Sequence, residues 1–251
     1  MNISLSDYLS AKYPLDERSL NRFVREQMLA SLVGRSAIRC LDAGTGTGAM
    51  LKRLLESVIA PRLCLTGLDV QPNLLNSAML TIAQLLQDQA YAVSWTDNCL
   101  KADCNGKIVE LNLISLALSD FQPKPGSFDL ITAHGFMDIV PLQPTMQRFH
   151  DWLVPGGLFY ATINYDGGTT LFPTYQDDDF EGRLLASYDA SMERRRVDGL
   201  ETGGSHSGRR LHRDLTATGF DILAYGSSDW NITPVRGAYR DQDGLCLQAL
   251  L

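Results

Sequence analysis

The chain has 251 residues, a net charge of -7 and 45% hydrophobic residues. That length suits one α/β domain with additions and a substantial core, while the acidic balance opposes a broad nucleic-acid footprint, which relies on clustered Lys and Arg. No apolar stretch reaches the roughly 20 residues of a membrane span, and the first residues lack a charged-then-apolar leader, so the cytoplasm is the expected compartment and a small molecule the expected partner.

Residues 1–35 read as a helical cap: Tyr8, Leu9, Tyr13, Leu20, Phe23, Val24, Met28, Leu29 and Leu32 recur at helical spacing. Pro14 should separate two helices, with Asp16 capping the second and Gly34 closing it. Next comes Ile38 to Met50, IRCLDAGTGTGAM, an apolar strand, a glycine turn and the start of a helix carrying Met50, Leu51, Leu54, Leu55 and Val58. Glycines belong here because the turn requires backbone angles a side chain forbids and a ligand must approach closely.

Read as Gly44, Gly46 and Ala49, the run also satisfies a dinucleotide fingerprint, so charge has to discriminate. A carboxylate at Asp42, pointing into the crevice, would repel a diphosphate and suit a ligand carrying an ammonium and a sulfonium. The stretch Asp42-Ala43-Gly44-Thr45-Gly46-Thr47-Gly48 resembles the first motif, an acid followed by G-x-G-x-G, of the class I S-adenosylmethionine-dependent methyltransferases. The resemblance implies S-adenosyl-L-methionine as cofactor, held by Asp42, Gly44, Thr45, Gly46 and Gly48. It also implies a cap folded over the site, from which Tyr13 and Arg18 could reach the methionine carboxylate; a packing helix with a surface arginine is the ordinary alternative.

A second strand, Leu63 to Val70, ends in Asp69, 25 residues beyond Gly44. In both nucleotide-binding families an acid there accepts hydrogen bonds from ribose hydroxyls, with Val70 beside it. Pro72 opens the following helix. Tyr91 to Trp95 and Lys107 to Leu111 suggest a hairpin turning at Asp103 to Gly106, before a third parallel strand, Leu113 to Leu118. In the methyltransferase pattern Asp120 and Phe121 would contact adenine, although an Asp capping a turn is the plain reading.

FDLITA, from Phe128, is a fourth strand, and His134 stands at its carboxyl end, where ligands collect in parallel sheets. It could be a catalytic base, a cofactor-lining group or a loop histidine, and Asp138 could pair with it. A helix, Gln143 to Leu153, ends in Val154-Pro155-Gly156-Gly157 before a fifth strand, LFYATINY, a turn that also recurs in class I methyltransferases. Residues 166–218 form an inserted segment: the acidic patch Asp177 to Asp179, a helix over Gly182 to Arg196, a flexible stretch, and a helix from Gly208 to Thr218 capped by Ser207. His206, Arg209 and Arg210 gather at that helix start, where an anionic acceptor could bind; surface arginines are the alternative. Phe220 to Tyr225 and Leu245 to Leu250 read as two closing strands.

The expected architecture is one domain, a Rossmann-like doubly wound sheet, mostly parallel with an antiparallel C-terminal strand. It comprises a cap (1–35), a cofactor core (36–165), an acceptor or lid insertion (166–218) and closing strands (219–251). The expected activity is in-line methyl transfer to a small molecule, with His134 or His206 as base and Tyr165, Asp166, Arg209 and Arg210 on the acceptor side. A methyltransferase-fold binding protein without turnover, or a nicotinamide-dependent oxidoreductase, are the competing functions. The five cysteines, Cys40, Cys64, Cys99, Cys104 and Cys246, are scattered and read as core thiols in a reducing compartment. None sits at zinc-ligand spacing, so no metal is expected.

Overall fold

The computed structural model describes residues 3–96, 98–163, 165–173 and 178–250. Helix α1 spans Leu5–Ser19, with the Ser4 side chain accepting the Asp7 N–H. Pro14 lies inside it rather than after it; its fixed φ is helical, and the bond it removes is offset by burial of Ala11 and Leu15. The second helix, α2 (Arg22–Ala30), is capped by Asn21 through the Val24 N–H and not by Asp16, and it ends before Gly34.

A seven-stranded sheet follows, in the order β3-β4-β5-β2-β1-β6-β7. Its parallel strands are β1 (Ala37–Ala43), β2 (Arg62–Asp69), β5 (Lys107–Ser115), β6 (Phe128–His134) and β7 (Leu153–Thr162); β3 (Ala92–Thr96) and β4 (Cys99–Cys104) run antiparallel at one edge. Successive β1 side chains enter opposite layers. Ile38 and Cys40 join the core under α3 (Ala49–Ser57) and α4 (Pro72–Asp88), whereas Leu41 and Ala43 join that under α5 (Leu142–Trp152) and α7 (Ser207–Ala217). This double winding is the expected fold.

The edges differ from expectation. Lys107 to Leu111 and Leu113 belong to one strand, β5, paired along its length with β2 from Arg62 opposite Ile108 to Asp69 opposite Ser115. Its outward Glu110, paired with Arg62, and Asn112 broke the apolar pattern, while Val109, Leu111 and Leu113 are buried beneath α4. The antiparallel pairing therefore lies at this edge. At the other edge β7 is the last strand among the described residues. Phe220 to Tyr225 form no strand, Phe220 packing on Phe159 and His150 instead, and Leu245 to Leu250 lie in α8 (Asp243–Leu250).

Within the insertion the helix is α6 (Asp178–Glu193), so it starts and stops before the expected bounds; Asp177 lies outside the described residues. The stretch expected to be flexible, Gly199 to Gly208, holds β9 (Leu200–Glu201), which pairs with β8 (Arg196–Val197) just before it, and a 3-10 turn, Gly204–His206. All five cysteines are free thiols. Among the described residues no helix is long and apolar enough to cross a membrane.

Helix α8 closes onto α1. Cys246 packs with Ala11 and Leu15 beside Trp230 and Ile232, and Arg18 pairs with the buried Asp243 and, at 3.7 Å, with Asp241. Removing one partner of such a pair leaves a buried charge alone. Arg18→Ala should lower the unfolding free energy by about 2–4 kcal/mol in urea titration; a loss below about 0.5 kcal/mol, as for an exposed pair, would show that apolar contacts alone seat α8.

Candidate active site

The site is built where β1 hands over to α3. Gly44, Gly46 and Gly48 have φ of 72°, 54° and 86°, angles costly for any side chain. The N–H groups of Gly44 and Thr45 donate to the Leu68 carbonyl (2.9 and 3.0 Å), which folds the turn back over the end of β2. Gly46 N–H donates to Asp69 Oδ2 and Gln71 N–H to Asp69 Oδ1, both at 2.9 Å. The carboxylate is thus held at the mouth of the turn. Two further groups roof it: a Cβ on Gly44 would lie 2.3 Å from Phe136 Cδ2, and one on Gly46 would lie 3.2 Å from Leu9 Cδ1 of α1.

Asp42 does not point into the crevice. It is 1% exposed, sealed under the turn with its Oδ1 accepting from Thr132 Oγ1 at 2.8 Å and its Oδ2 without a partner. The reason is register, since Asp42 lies opposite Gly67 on β2 and Thr132 on β6, with Thr45 Oγ1 donating to its own carbonyl. Burial lifts its pKa to about 7, against the Thr132 and Thr45 hydrogen bonds and the field of Arg53.

Val70 is exposed beside Asp69. Asp120 and Phe121 are not near it. Phe121 packs edge-on against Trp152 (5.5 Å) and beside Phe128, at the opposite end of the sheet, and Asp120 is exposed in a turn on Ala117. Because β5 stops at Ser115, the residue next to Asp69 is Leu116, whose N–H donates to the Asp69 carbonyl at 3.0 Å. Setting the strand end three residues late displaced that reading.

His134 is 10% exposed in its side chain and engaged on both sides. Its Nε2 is 2.8 Å from Asp16 Oδ2, and its Nδ1 contacts Thr162 Oγ1. Burial, reinforced by Lys12 and Arg53, pulls its pKa down to about 4. The neutral ring therefore donates from Nε2 to Asp16 and accepts from Thr162, which leaves no lone pair for an acceptor's proton. Lys12, also buried, pairs with Asp16. Burial would raise Asp16, but the His134 hydrogen bond and Lys12 hold it below the usual carboxylate range. Arg53 pairs with Glu17 and lies 3.9 Å from Asp16, with both terminal nitrogens lacking hydrogen-bond partners. Lys52 and Arg53 sit over the Tyr13 ring at 4.5 and 5.0 Å, and burial raises the Tyr13 phenol to about 12.

The expected anion site is filled by the chain's own acids. Asp166 accepts from Arg209 Nε and from its N–H (both 3.2 Å), so Asp166 rather than Ser207 caps α7. Arg210 bonds the Gly203 carbonyl at 3.2 Å and Glu193 at 3.4 Å, and Glu193 also accepts from the Ser205 N–H and hydroxyl. His206 Nδ1 meets Ser205 Oγ at 2.8 Å, and its Nε2 is so close to Gly167 that a Cβ there would lie 2.5 Å away. Tyr165 donates to Asp189 at 2.5 Å and stands edge-on to Tyr188.

Two groups escaped the sequence reading. The Lys12–Asp16 pair could have been found from its i,i+4 spacing on the face shared with Tyr8 and Leu15. Asp138 was named only as a partner for His134; it is buried, with Oδ1 unpartnered and Oδ2 3.8 Å from Arg195.

A methyltransferase domain family model matches residues 41–159, from the end of β1 into β7. Among solved structures, a chain of the Haloferax volcanii complex of the Trm112 methyltransferase activator with a candidate methyltransferase has a TM-score of 0.54 and 15% identity, covering 98% of this chain and 92% of that one. A candidate methyltransferase of Bacillus halodurans gives 0.51 and 12%, over 81% and 71%. Haemonchus contortus phosphoethanolamine N-methyltransferase 2 gives 0.50 and 15%, over 86% of this chain and 42% of its own, so this chain spans under half of that enzyme's length. No curated protein matches in sequence. The chain thus carries a methyltransferase-domain match over residues 41–159 and shares the fold of these methyltransferase structures.

Proposed function

We propose that the protein transfers a methyl group from S-adenosylmethionine to a small-molecule acceptor by in-line displacement. The observation that carries this reading is the Asp69 carboxylate, fixed by the Gly46 and Gln71 N–H groups at the mouth of the glycine turn. Each oxygen has accepted one backbone bond and keeps a lone pair, which suits a ribose diol. Val70 and Leu116, both exposed beside it, offer apolar surface for a flat base. The unpartnered Asp42 Oδ2 supplies uncompensated negative potential beneath the turn. The residues fit the cofactor.

The turn also weighs against a dinucleotide. A diphosphate draws on free backbone N–H groups of such a turn and the helix start after it, and in the turn before α3 those of Gly44, Thr45, Gly46 and Gly48 already donate to Leu68, Asp69 and Thr45. When bound, the cofactor supplies a methyl group activated by its sulfonium, so the chain's part is to orient two reactants and exclude water. Asp69 anchors one end, Leu9 and Phe136 roof the turn, and the Lys12–Asp16–His134 network holds α1 against the ends of β6 and β7.

Two outcomes are expected. Asp69→Asn should weaken binding of S-adenosylhomocysteine by about 1–3 kcal/mol in calorimetry, and unchanged affinity would remove Asp69 from the site. Asp42 is neutral below about pH 7 and anionic above it, and a cationic ligand favours the anion. Affinity for S-adenosylmethionine should therefore fall by up to about tenfold per unit as pH drops below 7, and Asp42→Asn should flatten the profile; a wild-type profile identical to that of the variant would contradict the electrostatic role.

A further inference from the structure

Leu9 and Phe136 both rest on the glycine turn, and Asp138 follows two residues after Phe136. It stands buried in the loop after β6. Tyr8 and Lys12 of α1, Tyr188 of α6 and Arg195 after α6 are the ionisable groups whose fields couple to Asp138. The loop is pinned, because Gly204 N–H donates to the Asp138 carbonyl at 3.0 Å and Gly203 packs on Met137 and Asp138 so tightly that a Cβ would lie 2.3 Å from the Met137 carbonyl oxygen.

Asp138 is 8% exposed, yet its Oδ1 has no hydrogen-bond partner and its Oδ2 only a 3.8 Å approach from Arg195. A buried polar atom left unpaired is costly, and in a native protein it calls for an explanation. The histidines do not relieve Asp138 of a base's role: His134 is bonded through both nitrogens, and His206 is held by Ser205 and pressed against Gly167.

We propose that Asp138 is the general base for the acceptor, and that the acceptor is an amine whose N–H donates to the unpartnered Asp138 Oδ1. This rests on the methyltransferase reading. The amine arrives as an ammonium, attracted to the carboxylate. Asp138 takes one proton and becomes neutral. The freed nitrogen lone pair forms the N–CH3 bond as the C–S bond breaks, the bonding electrons pass to sulfur, and the products are a methylammonium and neutral S-adenosylhomocysteine. An alkylammonium releases its proton near pH 10.4 and a water-like hydroxyl near 15.7, so a carboxylate is an adequate base only for the first, by roughly five units. Burial raises Asp138 above the usual carboxylate range, and it keeps the Tyr8 and Tyr188 phenols protonated.

The test compares wild type, D138N and D138E. S-adenosylhomocysteine titration and thermal melting come first: D138N should bind within about twofold of wild type and melt no lower, because the unpaired buried charge is gone. Radiolabelled methyl transfer from S-adenosylmethionine is then measured to benzylamine and ethanolamine and to the matched benzyl alcohol and ethylene glycol. Label should enter an amine and neither alcohol, with transfer falling at least about 100-fold in D138N and about tenfold in D138E; D138E keeps the charge should the amide variant fold poorly. Label on an alcohol, no label on either amine, or transfer by both variants close to wild type overturns the proposal. Absence of S-adenosylhomocysteine binding by wild type would instead defeat the methyltransferase reading.

Discussion

Two backbone N–H groups on one carboxylate hold the candidate site in shape. Gly46 and Gln71 converge on Asp69, and the Leu68 carbonyl takes the amides of Gly44 and Thr45, so the end of β2 and the turn after β1 form one unit. The geometry depends on the parallel register that sets Asp42 opposite Gly67, because a side chain at Gly67 would lie 2.7 Å from Leu113 and 2.8 Å from the Thr45 hydroxyl. With those turn amides occupied, the Asp69 carboxylate is the group the proposed ligand would use. That distinguishes this site from a diphosphate cradle on the same fold.

Around that unit the protein buries an unusual amount of charge. Lys12, Asp16, Arg53 and His134 compensate one another between α1, α3 and the ends of β6 and β7. Among the described residues Asp42 has no ion pair and Asp138 only a 3.8 Å approach from Arg195, and each keeps an oxygen without a partner. Compensated charge fixes α1 in place; uncompensated carboxylates destabilise the empty protein and are offset when a cation or proton donor arrives.

The core strands and the glycine turn were legible in the sequence because their signals are local: apolar runs ending in Asp42 and Asp69, three alternating glycines, and Pro72 opening a helix. The extent of β5 was not legible because Glu110 and Asn112 face outward, so the residue beside Asp69 is Leu116 and not Asp120. The run Leu245 to Leu250 is apolar without a period that separates strand from helix, and its docking on Leu15 is a contact no local pattern encodes. Asp16 reads in the sequence as a helix cap and Lys12 carries no signal of its own, so the burial of the pair is not legible there. Arg209 looked available only because its partner, Asp166, lies far away in the chain.

The most direct test of this account is a paired calorimetric titration of the wild-type protein with S-adenosylhomocysteine and with NAD at neutral pH. One-to-one binding of the first with no heat from the second is the result expected of a turn whose amides are already taken. Saturable binding of NAD without a response to S-adenosylhomocysteine would contradict it.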